Sequence, residues 1–396
     1  MEKKIIAVNV IHSFMASCLN RDEGNEPKTM YYGGVLRTRI SSQCRKSTWR
    51  RSDFLNETID DALIEIRTKH LPEIVREKIK ERGFSDTVAY QCAIDTALHF
   101  GGYEKKSTET NVRSSVLRSY AKNDINRIID YVVDQLKNNE DVKKKAEKIK
   151  RNGVIIPGNK GKKKVESGLI DYKGFNESEY VTVRSALFGR MIAEEKGAKT
   201  IPAAVHVAHA FSVNRAEEEA DFFTATDDLV EMQDDQGASH MDYLCYSSNA
   251  FYETAYIDMD ILSDNLKNLD DKDKIIKAIV PALIEAMILE TPNAKQTTFA
   301  SRPAPTAILI EMQNKKVVFD YASAFEKPIY PHNDETISAL AEQALIDKCE
   351  NYDRKYGNIR GITDRLWFSC DDLEMVNATN CESLDDIMSA IKTALL

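Results

Sequence analysis

The chain has 396 residues, a formal net charge of -9, 42% hydrophobic and 30% charged residues, and only 10 Pro and 16 Gly. This composition fits a folded globular protein with one large domain or two to three small ones, and excludes low-complexity and collagen-like chains. No stretch approaches eighteen uninterrupted apolar residues, so no membrane-spanning helix is expected; the 7 scattered cysteines, none in a C-x-x-C pair, argue for free thiols in a reducing cytoplasm and against a thiolate zinc site.

Residues 4–12, KIIAVNVIH, are apolar and β-branched enough for a buried first strand. A loop dense in Asn, Gly, Asp and Pro follows, in which Gly33–Gly34 is a tight turn. From Ser41 the pattern turns helical, with Ser41 or Ser42 as N-cap. Residues 53–150 repeat apolar positions at three- and four-residue spacing, a helical block inserted in a β scaffold. The basic, Gly- and Pro-interrupted segment 143–164 predicts a loop or hairpin, read equally as a solvated loop or a nucleic-acid contact. Between 203 and 248 an extended apolar stretch, AAVHVAHAFSV, leads into an acidic run, and strand character returns at GASHMDYLCY. Two strand-like arms around a polar middle suggest a long hairpin leaving the core. A helix (DKIIKAIVPALIEAMIL), a polar loop (TPNAKQTTFAS), a hairpin turning at Gln313–Lys315 and a helical tail complete the chain. Strands at both ends with helices between them indicate an α+β fold with a discontinuous sheet domain.

Charge is concentrated in VLRTRISSQCRKSTWRR, Val35 to Arg51, which carries Arg37, Arg39, Arg45, Lys46, Arg50 and Arg51; no acid occurs from Pro27 to Ser52. Arg37 and Arg39 alternate on a strand and share one face, and Gln43, Lys46 and Arg50 form one helical stripe. Ser41 and Ser42 sit where the unpaired N–H groups of a helix start make an anion site. Basic side chains there oppose the helix dipole unless an anion is present, so the segment suits a phosphate backbone. Trp49 either packs the helix on the core or stacks on a base.

Other chemistry is weaker. His206 and His209, with Asp227, Asp228 and His240, suggest a metal site, but a spacing of three in a strand puts the imidazoles on opposite faces. No G-x-S-x-G, H-E-x-x-H, Walker or G-x-G-x-x-G motif is present. Asp22 is a lone loop carboxylate, suited to accepting backbone N–H bonds or to activating an RNA hydroxyl.

Taken together, SCLNRDEGNEPKTMYYGGVLRTRISSQCRKSTWR (17–50), ALFGRM (186–191), VAHAFSVN (207–214), DFFTATDDL (221–229), GASHMD (237–242), SSNAFYETAYIDMDIL (247–262), PNAKQTTFAS (292–301) and ASAFEKP (322–328) resemble the CasC family, the backbone subunit of type I-E CRISPR Cascade. The resemblance implies a modified RRM, ferredoxin-like palm with inserted helical fingers and a thumb excursion. Its expected division is 1–52 palm, 53–185 fingers, 186–202 palm, 203–248 thumb, and 249–396 palm with C-terminal helices. It implies a cytoplasmic, non-catalytic protein without cofactor or metal, stacked in roughly six copies along a CRISPR RNA whose bases pair with a target DNA strand, beside other Cascade subunits. Carried over, the RNA-contacting residues are Asn20, Arg21, Ser41, Ser42, Gln43, Lys46 and Arg50, supported by Arg37, Arg39, Lys295 and Gln296. Met191 would pack near the guide bases. Phe211, Phe222 and Phe223 would be thumb wedges or the thumb's own packing. The family has an apolar residue where Arg45 stands, so Arg45 and Lys46 exchange roles in a register shifted by one. Related backbone subunits that cleave RNA make Asp22 the alternative, catalytic reading.

Overall fold

The computed structural model describes residues 3–59, 64–104, 106–107, 111–154, 168–175, 181–190, 200–225, 240–331 and 334–395. The chain opens with β1 (Ile5–Ser17), β2 (Thr29–Tyr32), β3 (Val35–Ile40), α1 (Ser42–Trp49) and α2 (Asp53–Thr58). Next come β4 (Glu65–Thr68), α3 (Leu71–Glu81), α4 (Asp86–Phe100), β5 (Arg118–Ala121), α5 (Lys122–Asn138), α6 (Glu140–Asn152) and α7 (Val183–Phe188). They are followed by β6 (Val205–Val207), β7 (Ala210–Ser212), β8 (Glu219–Ala225), β9 (His240–Asp258), α8 (Met259–Asn265), α9 (Lys272–Leu289) and α10 (Gln296–Phe299). The chain closes with β10 (Pro305–Gln313), α11 (Ile337–Tyr356), β11 (Ile362–Ser369), β12 (Thr379–Asn380) and α12 (Leu384–Ala394). Two compact units result: residues 1–58 with 203–396, and residues 59–202.

In the first unit the strand path is β12-β11-β10-β1-β9-β7-β3-β2, with β6 and β8 also paired to β9. Within it β10-β1-β9-β7 are mutually antiparallel, and α1 precedes β7 while α9 joins β9 to β10. That is the 4-1-3-2 arrangement of a βαββαβ unit, the ferredoxin-like palm. β1 is buried along most of its length because both of its faces are covered, and its polar residues Asn9 and His12 are buried too. Ile11 packs with Leu309, Tyr252, Phe211 and Leu345 of α11. The next residue, His12, points the opposite way and its Nε2 donates to the Ile288 carbonyl of α9 at 3.1 Å. The α11 face also holds a buried ionic cluster: Glu311 receives Arg360 at 2.9 Å and Arg365 at 2.8 Å, and Asp353 receives the same two guanidiniums.

Two sequence expectations change in this unit. Residues 203–213 belong to the central sheet, since β6 and β7 pair with β9, so among the described residues the excursion is the β8–β9 pair, with Glu219 opposite Tyr246 and Thr224 opposite Met241. The hairpin expected at Gln313–Lys315 does not form, because both edges of β10 are taken by β1 and β11. Residues 314–321 instead run to Tyr321, whose N–H donates to the Tyr252 hydroxyl and whose own hydroxyl donates to Glu311. The sequence also left the N-cap of α1 open, and the structure assigns it to Ser41.

The second unit is mainly helical, built around Leu71, Val75, Cys92, Ile128, Val132 and their neighbours, with β4 and β5 paired antiparallel. Buried Asp95 accepts the backbone N–H groups of Gly168, Leu169 and Ile170 at 3.0, 2.7 and 2.8 Å, pinning that segment to α4. Residues 143–152 are helical, not loop: they complete α6, where Lys143 pairs with Glu140 and Lys150 with Glu147 one turn away. Residues 186–190 and 200–202, expected in the palm, fall in this unit. Here α7 is tied to β4 by Thr182 and Arg184, which donate to the Glu65 carboxylate and carbonyl, and Arg190 pairs with Ile201. The lysine-rich loop 158–164 and Met191 lie outside the described residues.

Candidate nucleic-acid interface

The start of α1 is held from three sides. Ser41 caps it, its Oγ accepting from Cys44 N–H at 3.3 Å. The Ser41 N–H donates to Asn20 Oδ1 at 2.9 Å, which fastens the preceding loop to the helix. The Ser42 N–H donates to His209 Nδ1 at 3.2 Å. Because that nitrogen accepts, the imidazole proton sits on Nε2. Burial, and then Arg39 and Lys28, push the His209 pKa below its ordinary value, which keeps the ring neutral and accepting. Sequence reading weighed His209 only as a metal ligand; nothing in its spacing signals a helix cap, which arises because β7 lies beside β3.

The arginines of the basic segment separate into two groups. Arg37 is 0% exposed. Its guanidinium donates to the carbonyls of Ser212, Val213 and Phe325 at 3.0, 2.6 and 2.8 Å, so it staples β3 to the chain around it and is withdrawn from the RNA set. Gly33, at φ +62, admits the Glu326 carbonyl where any Cβ would collide, and this lets the 325–326 turn reach Arg37. Arg45 is 1% exposed; it pairs with Glu253 at 2.5 Å, donates to the carbonyls of Glu290 (2.8 Å) and Met287 (3.3 Å), and lies over Trp49. Burial opposes ionisation of Glu253, but Arg45 and then His12 outweigh it and hold the carboxyl below its usual range. The register therefore resolves: Arg45 is a core residue and Lys46 the surface-side cation. Trp49 is buried, as packing requires.

Lys46 is half-buried, and burial pushes its amine pKa down. Burial and then Lys46 likewise lower His206, whose ring stacks on Tyr256 at 4.5 Å and 9°. Arg39 is half-buried with its Nε unpaired, Arg50 is half-buried, and Gln43 is exposed. A cleft of about 810 Å³ opens beside α1, lined by Asn20, Ser41, Gln43 and Arg51 together with Glu290, Asn293 and Arg302. The PNAKQTTFAS loop thus faces α1 across the cleft, through Pro292, Asn293 and Ala294. Gln296 spends its amide on the carbonyls of Pro292 and Ser301. Lys295 occupies a left-handed position, φ 55, ahead of α10. Arg302, absent from the predicted set, lines the cleft.

Arg21 is exposed and donates to Asn25 Oδ1 at 3.1 Å. Asp22 Oδ1 accepts the N–H groups of Gly24 (2.8 Å) and Glu26 (3.1 Å), the arrangement of a loop-stabilising carboxylate. Burial, then Glu26 and Asp22, raise the pKa of Glu218, so this corner is acidic. Among the described residues no group of three or more His, Cys, Asp or Glu could hold a metal ion. Asp227 and Asp228, and the side chain of His240, lie outside the described residues. His206 and His209 are engaged by Tyr256 and Ser42 respectively.

Phe211 is 5% exposed, packed on Tyr32 and Tyr252 in the palm, and is neither a thumb residue nor a wedge. Phe222 and Phe223, by contrast, are 51% and 41% exposed on β8. Phe222 pairs across the ladder with Tyr243, ring centroids 5.2 Å apart, and Met241 and Tyr243 are exposed too. Strand pairing brings these residues together, and neither Met241 nor Tyr243 stands out in the sequence.

A ferredoxin-like palm with a helical insertion after its first helix, a protruding hairpin and a cleft lined by both arginines and carboxylates defines an α+β protein of the kind found in CRISPR surveillance complexes. A chain from a "CRISPR RNA-guided surveillance complex, pre-nicking" superposes with a TM-score of 0.81 at 25% identity, covering 99% of this chain and 100% of that one. A second, from a "CRISPR RNA-guided surveillance complex", gives 0.71 at 20% identity over 98% and 99%, which shows the fold. No curated protein matches the chain in sequence. Residues 6–391 match the CT1975-like protein family, and the chain belongs to it. Among the described residues no helix is long and apolar enough to cross a membrane.

Proposed function

We propose that this chain is the guide-RNA-binding backbone subunit of a type I-E Cascade-like surveillance complex, a member of the CasC group. The observation that carries this reading is the full-length likeness to a surveillance-complex chain at a TM-score of 0.81. The basic residues Arg39, Lys46 and Arg50 on and beside α1, none of them fully buried, support it. In this role Lys46, Arg39 and Arg50 meet RNA phosphates, Ser42 and Gln43 supply neutral donors, and binding is indifferent to base sequence because no base edge is read. Several copies, about six, stack head to tail along the guide in the cytoplasm, and the exposed Phe222–Tyr243 face presses on the strand, leaving the bases between thumbs to pair with target DNA. Asn20 serves by fixing the Ser41 turn.

The subunit performs no chemistry of its own in this reading. Asp22 is committed to backbone N–H groups, and that favours a structural role over the nuclease alternative. Two experiments test the proposal. Replacing Lys46 and Arg50 by Glu should weaken RNA binding equally for unrelated sequences and flatten its salt dependence; unchanged affinity and slope would refute it. Incubating guide-paired RNA with magnesium and wild-type or Asp22→Ala protein should give no cleavage by either. Cleavage that Asp22→Ala abolishes, with assembly intact, would establish the nuclease instead.

A further inference from the structure

Among the arginines in and around α1 and its facing loop, two are buried and two line the cleft, and what neutralises them differs. Arg37 and Arg45 are buried, and carbonyls and Glu253 consume their guanidiniums. Arg51 and Arg302 are exposed, on the two segments that line the 810 Å³ cleft. Arg51 donates from Nε to the Ser47 carbonyl at 3.2 Å and from Nη2 to the Ser47 hydroxyl at 2.6 Å. Arg302 donates from Nη2 to Asn293 Oδ1 at 2.5 Å. Those acceptors are uncharged, so they orient each guanidinium without cancelling it. Among the described residues no carboxylate lies within 4.0 Å of either group.

We propose that Arg51 and Arg302 form a second phosphate-binding pair, gripping RNA in the cleft between α1 and the 290–302 loop. The pair extends the track that starts at Ser42 and Lys46, and the proposal rests on the RNA-binding reading above. The occupant follows from the chemistry of the walls. Each guanidinium keeps free N–H donors in a planar fork that matches a phosphate. The same cleft carries two carboxylates, Asp53 and Glu290, the latter accepting the Ser52 hydroxyl at 3.1 Å. Carboxylates repel a free anion, but they accept hydrogen bonds from ribose 2′-hydroxyls. A wall with both groups suits a ribose–phosphate chain better than inorganic phosphate or DNA. Asn293 acts through Arg302 and is a positioning residue.

The test uses the full chain and an unstructured oligouridylate, with the deoxy oligomer of the same length alongside, in a salt titration. R51Q and R302Q should each reduce the slope of log affinity against log salt by about 0.7 and weaken RNA binding roughly three- to ten-fold. The double variant should lose about twice that slope, and R302K should recover it. Asn293→Ala should lower affinity while keeping the slope, because the charge remains. Melting curves of all variants should overlay the wild type, because both arginines are exposed. If the double variant keeps the wild-type slope while Lys46→Glu loses slope, the pair is refuted and the RNA-binding reading stands. If both keep it, both fail. Equal binding of the deoxy oligomer would overturn the ribose assignment.

Discussion

Arg45 and Glu253 meet at 2.5 Å beneath α1, while the adjacent Lys46 stays half-exposed beside His206. One helical step separates a cation that the core requires from a cation available to a ligand. Arg45→Ala would strand the Glu253 carboxylate and unbond two carbonyls, and should cost about 3–5 kcal/mol. Lys46→Ala should change stability by no more than about 0.5 kcal/mol and act on RNA affinity instead. Urea unfolding of the two variants, set against RNA titrations, separates the roles.

The His209–Ser42 hydrogen bond predicts a pH dependence. The folded state lowers the His209 pKa, so between that value and the ordinary value near 6.5 the unfolded chain binds more protons. Stability from this group is therefore full above the ordinary value and is lost as pH falls below it. His209→Ala should remove that part of the acid loss, seen as a shallower fall in melting temperature between pH 7.5 and pH 5. The charged groups facing the ring, Arg39 and Lys28, remain in the variant and serve as its internal control.

Glu342 predicts the opposite slope. It is fully buried in α11, where its carboxylate accepts from the Ser369 hydroxyl at 2.5 Å, and burial pushes it up to about 7. Its folded pKa lies above the unfolded value, so folding binds a proton and stability declines as pH rises from about 4.5 to about 7. Glu342→Gln should flatten that decline and stabilise the protein at pH 8 by on the order of 2 kcal/mol. Denaturation midpoints at pH 5 and pH 8 decide it; identical pH slopes in the two proteins would contradict the assignment.

Phe211 and Phe222 carry the same side chain in opposite settings. Phe211→Ala should cost about 3–5 kcal/mol through the cavity it leaves. Phe222→Ala, on the exposed hairpin, should leave the melting temperature almost unchanged and weaken guide RNA retention in the assembled complex. Calorimetry and gel-shift assays on the pair distinguish packing from contact.

The sequence was legible wherever physical chemistry is local. The β-branched run of β1, the capping serine, the amphipathic helices before residue 150 and the lack of acids from Pro27 to Ser52 all follow from neighbouring residues. So did the α+β class. It was less legible where a partner strand decides. AAVHVAHAFSV is extended by composition, but whether it leaves the sheet or completes it depends on pairing with β9, as Val205 does with the distant Ile257. VVFDY has strand propensity and found no free edge. Lys143–Arg151 continued as helix because Val142, Ala146 and Ile149 supply an apolar stripe to bury, despite their basic neighbours.

Charge density, likewise, is a property of the sequence, but charge availability is not. The segment Val35–Arg51 determines by itself that positive charge accumulates at a serine-capped helix start. Only the tertiary structure decides which of those cations a ligand meets. Arg37 and Arg45 face inward because strand and helix periodicity turn them toward carbonyls and Glu253, contributed from as far away as residue 325. Arg302 faces α1 because the 290–302 loop folds across it. Desolvation makes a buried guanidinium demand partners and leaves an exposed one free to bind, and burial is set by the whole chain.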